Sequence, residues 1–179
     1  MQSIMRVLSG LLVTGLMGCT PAHNWREVHH PDGLWSATFP DKPVQVARVV
    51  QVPTADGDTL TGVSMSLWSS RVGEQTFTIG VTESKNHPVS QLQSALIHAR
   101  LKNIGADTSP AVSGDASQTI DRMGQMRLDP NGPSVQARLM LRTKTHGTQV
   151  IEAIVAGPIG DFDAEAAETF IQSARLSAQ

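Results

Sequence analysis

The sequence predicts an α+β domain in which a mostly antiparallel sheet of about six to seven strands is covered by two helices. Three observations support this prediction. Four early segments alternate apolar and polar residues with period two, a helical pattern follows at residues 90–104, and three more strands precede a second helical pattern near the C-terminus. With 179 residues, 40% hydrophobic and 17% charged, the chain has the size and composition of one globular domain with a short extension.

The four early strands are predicted from alternation and turn residues. The first, residues 34–39, lies between a Pro-Asp-Gly turn and Pro40. The second, residues 44–52, carries valines at alternate positions, and Arg48 interrupts this apolar face. An Asp-Gly pair typical of a hairpin turn leads to residues 61–67 and then 76–82, both strictly alternating. Four such strands in succession predict a meander with one buried face.

The helix boundaries are predicted from capping signals. Ser90 begins a Ser-x-x-Gln pattern typical of a capping box, and Gly105 follows the last apolar position of the first helix as a plausible stop. Asp161 or Asp163 is expected to cap the second helix, in which alanines, Phe170 and an isoleucine share one face.

Three strands are predicted between the helices. Two of them flank the Asn-Gly turn within residues 129–133. The third, residues 148–156, is apolar on both faces and is therefore the predicted central strand of the sheet.

The N-terminus predicts an export signal. Arg6 precedes an apolar stretch of eleven residues, 7–17. At about 1.5 Å per residue this stretch forms a helix of roughly 16 Å, about half of the roughly 30 Å needed to cross a hydrocarbon core. It is therefore interpreted as the core of a signal peptide and not as a membrane anchor.

The signal ends in Leu16-Met17-Gly18-Cys19, which resembles the lipobox of bacterial lipoproteins. The resemblance implies a diacylglyceryl group on the Cys19 sulfur, cleavage before Cys19 and acylation of the new amino terminus. Several acyl chains make a stable membrane anchor, whereas one chain binds marginally. In this family an Asp after the cysteine favours the inner membrane, so Thr20 implies the outer membrane facing the periplasm of a Gram-negative host.

The predicted organisation is a signal peptide over residues 1–18, a lipidated N-terminus and tether over 19–27, and one α+β domain over 28–179. The alternatives to a lipoprotein signal in the N-terminal segment are an ordinary secreted protein with an incidental cysteine and a cytosolic protein with an apolar N-terminus.

Cys19 is the one cysteine, so the chain has no internal disulfide framework and no Cys-rich metal site. A formal charge of −2 gives no bulk electrostatic argument for nucleic-acid binding.

Short runs near the start and the end of the predicted domain resemble those of small envelope domains of bacteria. Pro31-Asp32-Gly33 precedes a strand ending in Phe39-Pro40-Asp41-Lys42-Pro43, and the closing runs are Ala153-Ile154-Val155-Ala156-Gly157-Pro158 and Phe170-Ile171-Gln172-Ser173. Together with the strand order, they resemble the PsbP-like α/β/α sandwich. That fold hosts unrelated binding roles, so the resemblance implies a fold and no particular function.

The sequence nominates no catalytic site and no cofactor. His23, His29 and His30 are weak candidates for a zinc or copper site, but they lack a fixed ligand spacing, and a solvated turn is the simpler interpretation. Ser64 lies in a Gly-x-Ser-x-Ser run that lacks the second glycine of a nucleophile elbow. Because acid, base and nucleophile do not converge in any motif, the chain is predicted not to be an enzyme.

One patterned surface is a candidate binding site for an anionic partner. Arg138, Arg142, Lys144 and His146 alternate along a predicted strand together with Met140, so all five project from one face. Such a row suits lipopolysaccharide, a peptidoglycan peptide or an acidic protein. The alternative is a solvated sheet face that serves solubility.

The sequence therefore predicts a membrane-anchored periplasmic lipoprotein acting as a non-enzymatic binding or interaction module of the cell envelope. Its expected partners are membrane lipid through acylated Cys19, and another envelope protein or an anionic envelope polymer. The alternative is a small-ligand or metal-binding lipoprotein that uses the His-rich entry or the face carrying Trp68.

Overall fold

The computed structural model describes residues 23–108, 119–129 and 131–176. The predicted signal peptide and Cys19 lie outside these residues. The strands are β1 (Arg26–His29), β2 (Trp35–Phe39), β3 (Val44–Pro53), β4 (Thr59–Val72), β5 (Gln75–Glu83), β6 (Ile120–Arg127), β7 (Ser134–His146), β8 (Gln149–Pro158) and β9 (Arg175–Leu176). The helices are α1 (Val89–Asn103) and α2 (Ala164–Ser173), with a short 3-10 helix at Ile159–Asp161.

The strands form two antiparallel sheets. A six-stranded sheet has the order β3-β4-β5-β8-β7-β6, and a three-stranded sheet has the order β1-β2-β9. The prediction of an α+β domain with a mostly antiparallel sheet and two helices is confirmed, and β8 is a central strand as expected. The described residues contain nine strands in two sheets, where the sequence predicted about six to seven in one.

The predicted four-strand meander is wrong at its first strand. β2 pairs with β1 and β9 and not with β3. Trp35, Ala37 and Phe39 of β2 are buried against α2 and the large sheet, so β2 crosses to a separate layer. β1 has no alternation of apolar residues, and β9 has two residues, so neither gave a sequence signal.

The folded domain begins earlier than the predicted residue 28. β1 starts at Arg26, the Asn24 N–H donates to the Pro40 carbonyl at 2.8 Å, and His23 Nε2 lies 3.0 Å from Asp163 Oδ2. Residues 23–27 belong to the predicted tether, but these contacts join them to the domain.

The six-stranded sheet has a different cover on each face. Helix α1 packs on one face, where Leu92 and Leu96 meet Val63 of β4 and Val150 of β8. Helix α2 and the small sheet pack on the other face, where Phe170 contacts Phe39 and Phe77 with ring centroids 5.0 and 5.6 Å apart. The domain therefore has three layers, with the large sheet in the middle.

The two helices begin differently. Asp163 caps α2 as expected, because its side chain accepts a hydrogen bond from the Ala166 N–H at 2.9 Å. The capping box at Ser90 is wrong: α1 begins at Val89 after Pro88, with no side-chain cap, and Ser90 lies inside its first turn. Pro88 is the N-cap residue, and its carbonyl accepts the first helical hydrogen bond, from the Leu92 N–H, at 3.0 Å.

Candidate binding cleft between helix α1 and the sheet

Two cavities lie between the C-terminal half of α1 and the large sheet. The first has a volume of about 590 Å³ and opens between α1 and the edge strand β3. The second has a volume of about 310 Å³ and lies between the end of α1 and strands β4 to β8. Arg100 and Asn103 of α1 line both cavities, so we treat the two as one feature and call it the α1 cleft.

A buried ion pair lies beside the α1 cleft. Glu152 on β8 is fully buried, and its Oε2 accepts a hydrogen bond from Arg100 Nη2 at 2.8 Å. Arg100 Nε lies 3.4 Å from Oε1, and the Arg100 side chain keeps 20% exposure. The negative charge of Glu152 raises the pKa of Arg100, and burial opposes this shift. A buried carboxylate needs such a partner, because an unpaired charge is costly to desolvate.

The sheet leaves room for Glu152 by placing a glycine beside it. Gly80 on β5 is paired with Glu152 in the strand register. A Cβ atom at Gly80 would lie 3.4 Å from Glu152 Oε2 and 3.2 Å from Leu67 Cδ2. On the other side, Thr143 is paired with Glu152 and accepts a hydrogen bond from Gln93 Nε2 at 2.9 Å. A polar strip therefore separates the two apolar clusters under α1.

The first cavity has basic side chains at its mouth. Arg48 on β3 is paired with Met65, which is buried under α1, so Arg48 projects on the α1 side of the sheet. Lys102 lies in the last turn of α1, and both side chains line the cavity. The described residues that line the two cavities include four basic residues and no Asp, Glu, His, Ser or Cys. The cleft therefore supplies charge and apolar surface, and its described lining supplies no general base.

The row of basic residues on β7 is used partly within the fold. Arg138 donates to Asp121 through Nε and Nη2 at 3.0 and 2.6 Å, and its guanidinium lies 5.1 Å from the ring centroid of Phe162. The hydrogen bonds that Arg138 donates to Asp121 raise the pKa of Arg138. Arg142 donates to the Ala174 carbonyl at the end of α2, and burial lowers the pKa of Arg142. Two of the three fixed charges therefore have partners in the domain.

The other members of this row lie at its far end or in the core. Met140 is buried in the cluster on the α2 side, whereas Lys144 and His146 are half-buried near the end of β7. The anionic-partner site at Arg138, Arg142, Lys144 and His146 stays a prediction.

The three candidate metal ligands are used in three different contacts. His23 contacts Asp163, and His29 Nε2 lies 3.5 Å from Glu27 Oε1. His30 is the third. Within residues 23–108, 119–129 and 131–176 there is no group of three or more His, Cys, Asp or Glu side chains placed to hold a metal ion.

Trp68 belongs to an aromatic cluster on the α2 side. Its ring centroid lies 5.1 Å from that of Trp35 and 5.4 Å from that of His30. The loop between β1 and β2 carries His30 over the two tryptophans, so Trp68 is half-buried against the core and does not line the α1 cleft.

Sequence reasoning missed Arg100 and Glu152. The available signal was a charge at a core-facing position. Glu152 is the one charged residue of β8, whose other residues are largely apolar, and Arg100 follows Leu96 by four positions on the buried stripe of α1. Arg48 gave the same signal when it interrupted the apolar face of β3. Charges at three core-facing positions of different elements point to one polar site.

Comparisons with models of protein families, with curated proteins and with solved structures found no match to this chain. Among the helices of the described residues, none combines the length and the apolar character that crossing a membrane requires.

Proposed function

We propose that this chain is a lipoprotein anchored in the cell envelope through acylated Cys19, facing the periplasm from the outer membrane, and that its domain is a non-enzymatic binding module. The α1 cleft is the proposed binding site. The fold is proposed to be a PsbP-like sandwich, and the layering of α1, large sheet and α2 with the small sheet supports that part of the proposal.

One observation carries the proposed binding role: the α1 cleft combines basic side chains with an aliphatic lining. Its cavities, about 590 and 310 Å³, lie in the size range of small-molecule sites, which is roughly 300–1,000 Å³. Thr78 supplies the hydroxyl group of the described lining, and this hydroxyl lies 2.8 Å from that of Ser69. The same lining has no carboxyl group and no imidazole that could activate it. Recognition of a small envelope component fits these residues better than bond cleavage does.

The cleft also supports the proposal better than the β7 row does. Arg138 and Arg142 already have partners within the domain, whereas Arg48 and Lys102 form no ion pair with any described residue. A ligand at the cleft therefore meets charges that do not first have to leave a protein partner.

In-cell photo-crosslinking tests this proposal. A photoreactive amino acid at Gln51, an exposed residue lining the first cavity, is compared with the same probe at Lys42, an exposed residue of the loop between β2 and β3. We expect an envelope component, identified by mass spectrometry, to be crosslinked at position 51 and not at position 42.

A filled cleft provides the specificity control. Asn103 is exposed and lines both cavities, so Asn103→Trp narrows the cleft without replacing a core residue. The crosslink at position 51 should disappear in this variant while its melting temperature stays close to that of the unmodified chain. Equal crosslinking at positions 51 and 42, or an undiminished crosslink in the stably folded Asn103→Trp variant, contradicts the proposed site.

A further inference from the structure

The mouth of the α1 cleft is positively charged. Arg48 and Lys102 approach the first cavity from opposite sides, one from the edge strand and one from the helix. Neither forms an ion pair with a described residue, and the described lining has no carboxylate. The carboxylate of Glu152, beside the cleft, is already bound to Arg100. Uncompensated like charges at a cavity mouth attract an anion.

The second cavity adjoins the first at Arg100 and Asn103 and has the more apolar lining of the two. The second cavity is lined mainly by aliphatic side chains: Leu67, Ile104, Met126, Leu139 and Ile154. Leu139 and Ile154 belong to the buried cluster under α1, so this lining is part of the core surface. Such a cavity favours a hydrocarbon chain, because burial of apolar surface is the main favourable term in binding it.

Arg100 lies where the two cavities adjoin. It uses Nε and Nη2 for Glu152, and Nη1 makes no hydrogen bond with a described residue. A guanidinium has five N–H donors, so Arg100 keeps donors for a ligand while its charge stays fixed in place by Glu152.

We propose that the α1 cleft binds an anionic amphiphile, a molecule with a phosphate or carboxylate head and a single hydrocarbon chain. The head lies between Arg48 and Lys102, and the chain passes Arg100 into the second cavity. This inference rests on the proposed function, because it names the ligand class of the same site. The experiment compares a phosphate that carries a hydrocarbon chain with free inorganic phosphate, and so distinguishes these two sources of the anionic group.

Calorimetric titration with dodecyl phosphate below its micelle concentration tests the ligand class. The protein is the full-length chain carrying Cys19→Ser, so that acyl chains of its own do not compete for the cleft. We expect saturable binding of one molecule per chain. Octyl phosphate, four methylenes shorter, should bind up to roughly two hundredfold more weakly, since each buried methylene contributes roughly fourfold in affinity. Inorganic phosphate should give no measurable binding, and uncharged dodecyl maltoside should bind at least tenfold more weakly.

Charge variants locate the head group. Arg48→Glu/Lys102→Glu should weaken dodecyl phosphate binding at least tenfold. Lys102 also interacts favourably with the dipole of α1, so the neutral pair Arg48→Gln/Lys102→Gln is measured as well and should weaken binding in the same direction. The matched control, Arg26→Glu/Lys42→Glu, reverses two exposed charges outside the cleft and should keep the unmodified affinity.

The outcomes separate the two proposals. Equal binding of dodecyl phosphate and dodecyl maltoside, with no effect of either charge pair, overturns the anionic ligand class and leaves the cleft as an apolar site. Binding of inorganic phosphate as tight as that of dodecyl phosphate overturns the role of the chain. If no amphiphile binds while crosslinking at position 51 persists, the ligand class is wrong and the proposed function stands. If the crosslink is also absent, the proposed function fails with it.

Discussion

Replacement of Arg100 by leucine should unfold the domain at a much lower temperature. The substitution leaves the Glu152 carboxylate fully buried without its cation. Breaking a buried pair in this way typically costs about 3–5 kcal/mol in the free energy of unfolding. For a domain of this size each kcal/mol lowers the melting temperature by roughly 2–4 °C, so Arg100→Leu should lower it by roughly 6–20 °C.

The reverse substitution should be milder. Glu152→Gln leaves a charge on Arg100, but the Arg100 side chain is 20% exposed and opens into the cleft, where water can hydrate it. We expect a loss of about 1–2 kcal/mol from the weakened hydrogen bonds. Arg100→Met/Glu152→Leu removes both charges and should be close to neutral or stabilising, since it ends the desolvation cost.

Urea denaturation of the three variants, each compared with the unmodified chain, measures these differences. The matched control is Arg26→Leu on β1, an exposed arginine whose loss should change stability by less than about 0.5 kcal/mol. The reasoning is refuted if Arg100→Leu costs less than about 1 kcal/mol, or if Glu152→Gln is the more damaging change.

Three further outcomes are expected. Asp163→Ala removes the cap of α2 and should cost about 1 kcal/mol, measured by urea denaturation. The hydrogen bond from the Ala166 N–H lowers the pKa of Asp163. The stabilisation by the cap is therefore present above the ordinary aspartate pKa and is lost as pH falls through the lowered pKa. A destabilisation by Asp163→Ala that stays constant from pH 7 to pH 2 speaks against this contact. Gly124→Ala should destabilise by about 2–3 kcal/mol, because its Cβ would overlap the backbone carbonyl of Ile104, whereas an unchanged urea midpoint would show that α1 and β6 are farther apart. Cys19→Ser should abolish metabolic palmitate labelling and move the protein from the membrane to the soluble fraction; persistent labelling would locate the acylation elsewhere.

The polar strip under α1 shows why the site was harder to predict than the fold. Alternation reports which face of a strand is buried, and it placed Arg48 on the same face as the core valines. It does not report which strands become neighbours, so it could not bring Arg48 of β3, Arg100 of α1 and Glu152 of β8 to one cleft. Their proximity depends on the strand order β3-β4-β5-β8 and on where α1 crosses it.

The β7 row illustrates the opposite error. The alternation correctly groups Arg138, Met140 and Arg142 on one face of β7. It does not show whether another element of the fold packs on that face. Helix α2 and Asp121 of the neighbouring strand reach that face, so two of the arginines have partners in the fold and Met140 is buried.

The sequence by itself determined the features that depend on near neighbours along the chain. The two helices, the strands other than β1 and β9, the Asp163 cap and the doubly apolar central strand all follow from periodicity and local hydrogen bonding, which act over a few residues. Only the tertiary structure decided that β2 joins a separate sheet with β1 and β9 and that the charges of three distant elements meet at the α1 cleft. Such pairings are set by the burial of whole sheet and helix faces against one another. The free energy of that burial depends jointly on residues that are far apart in the sequence.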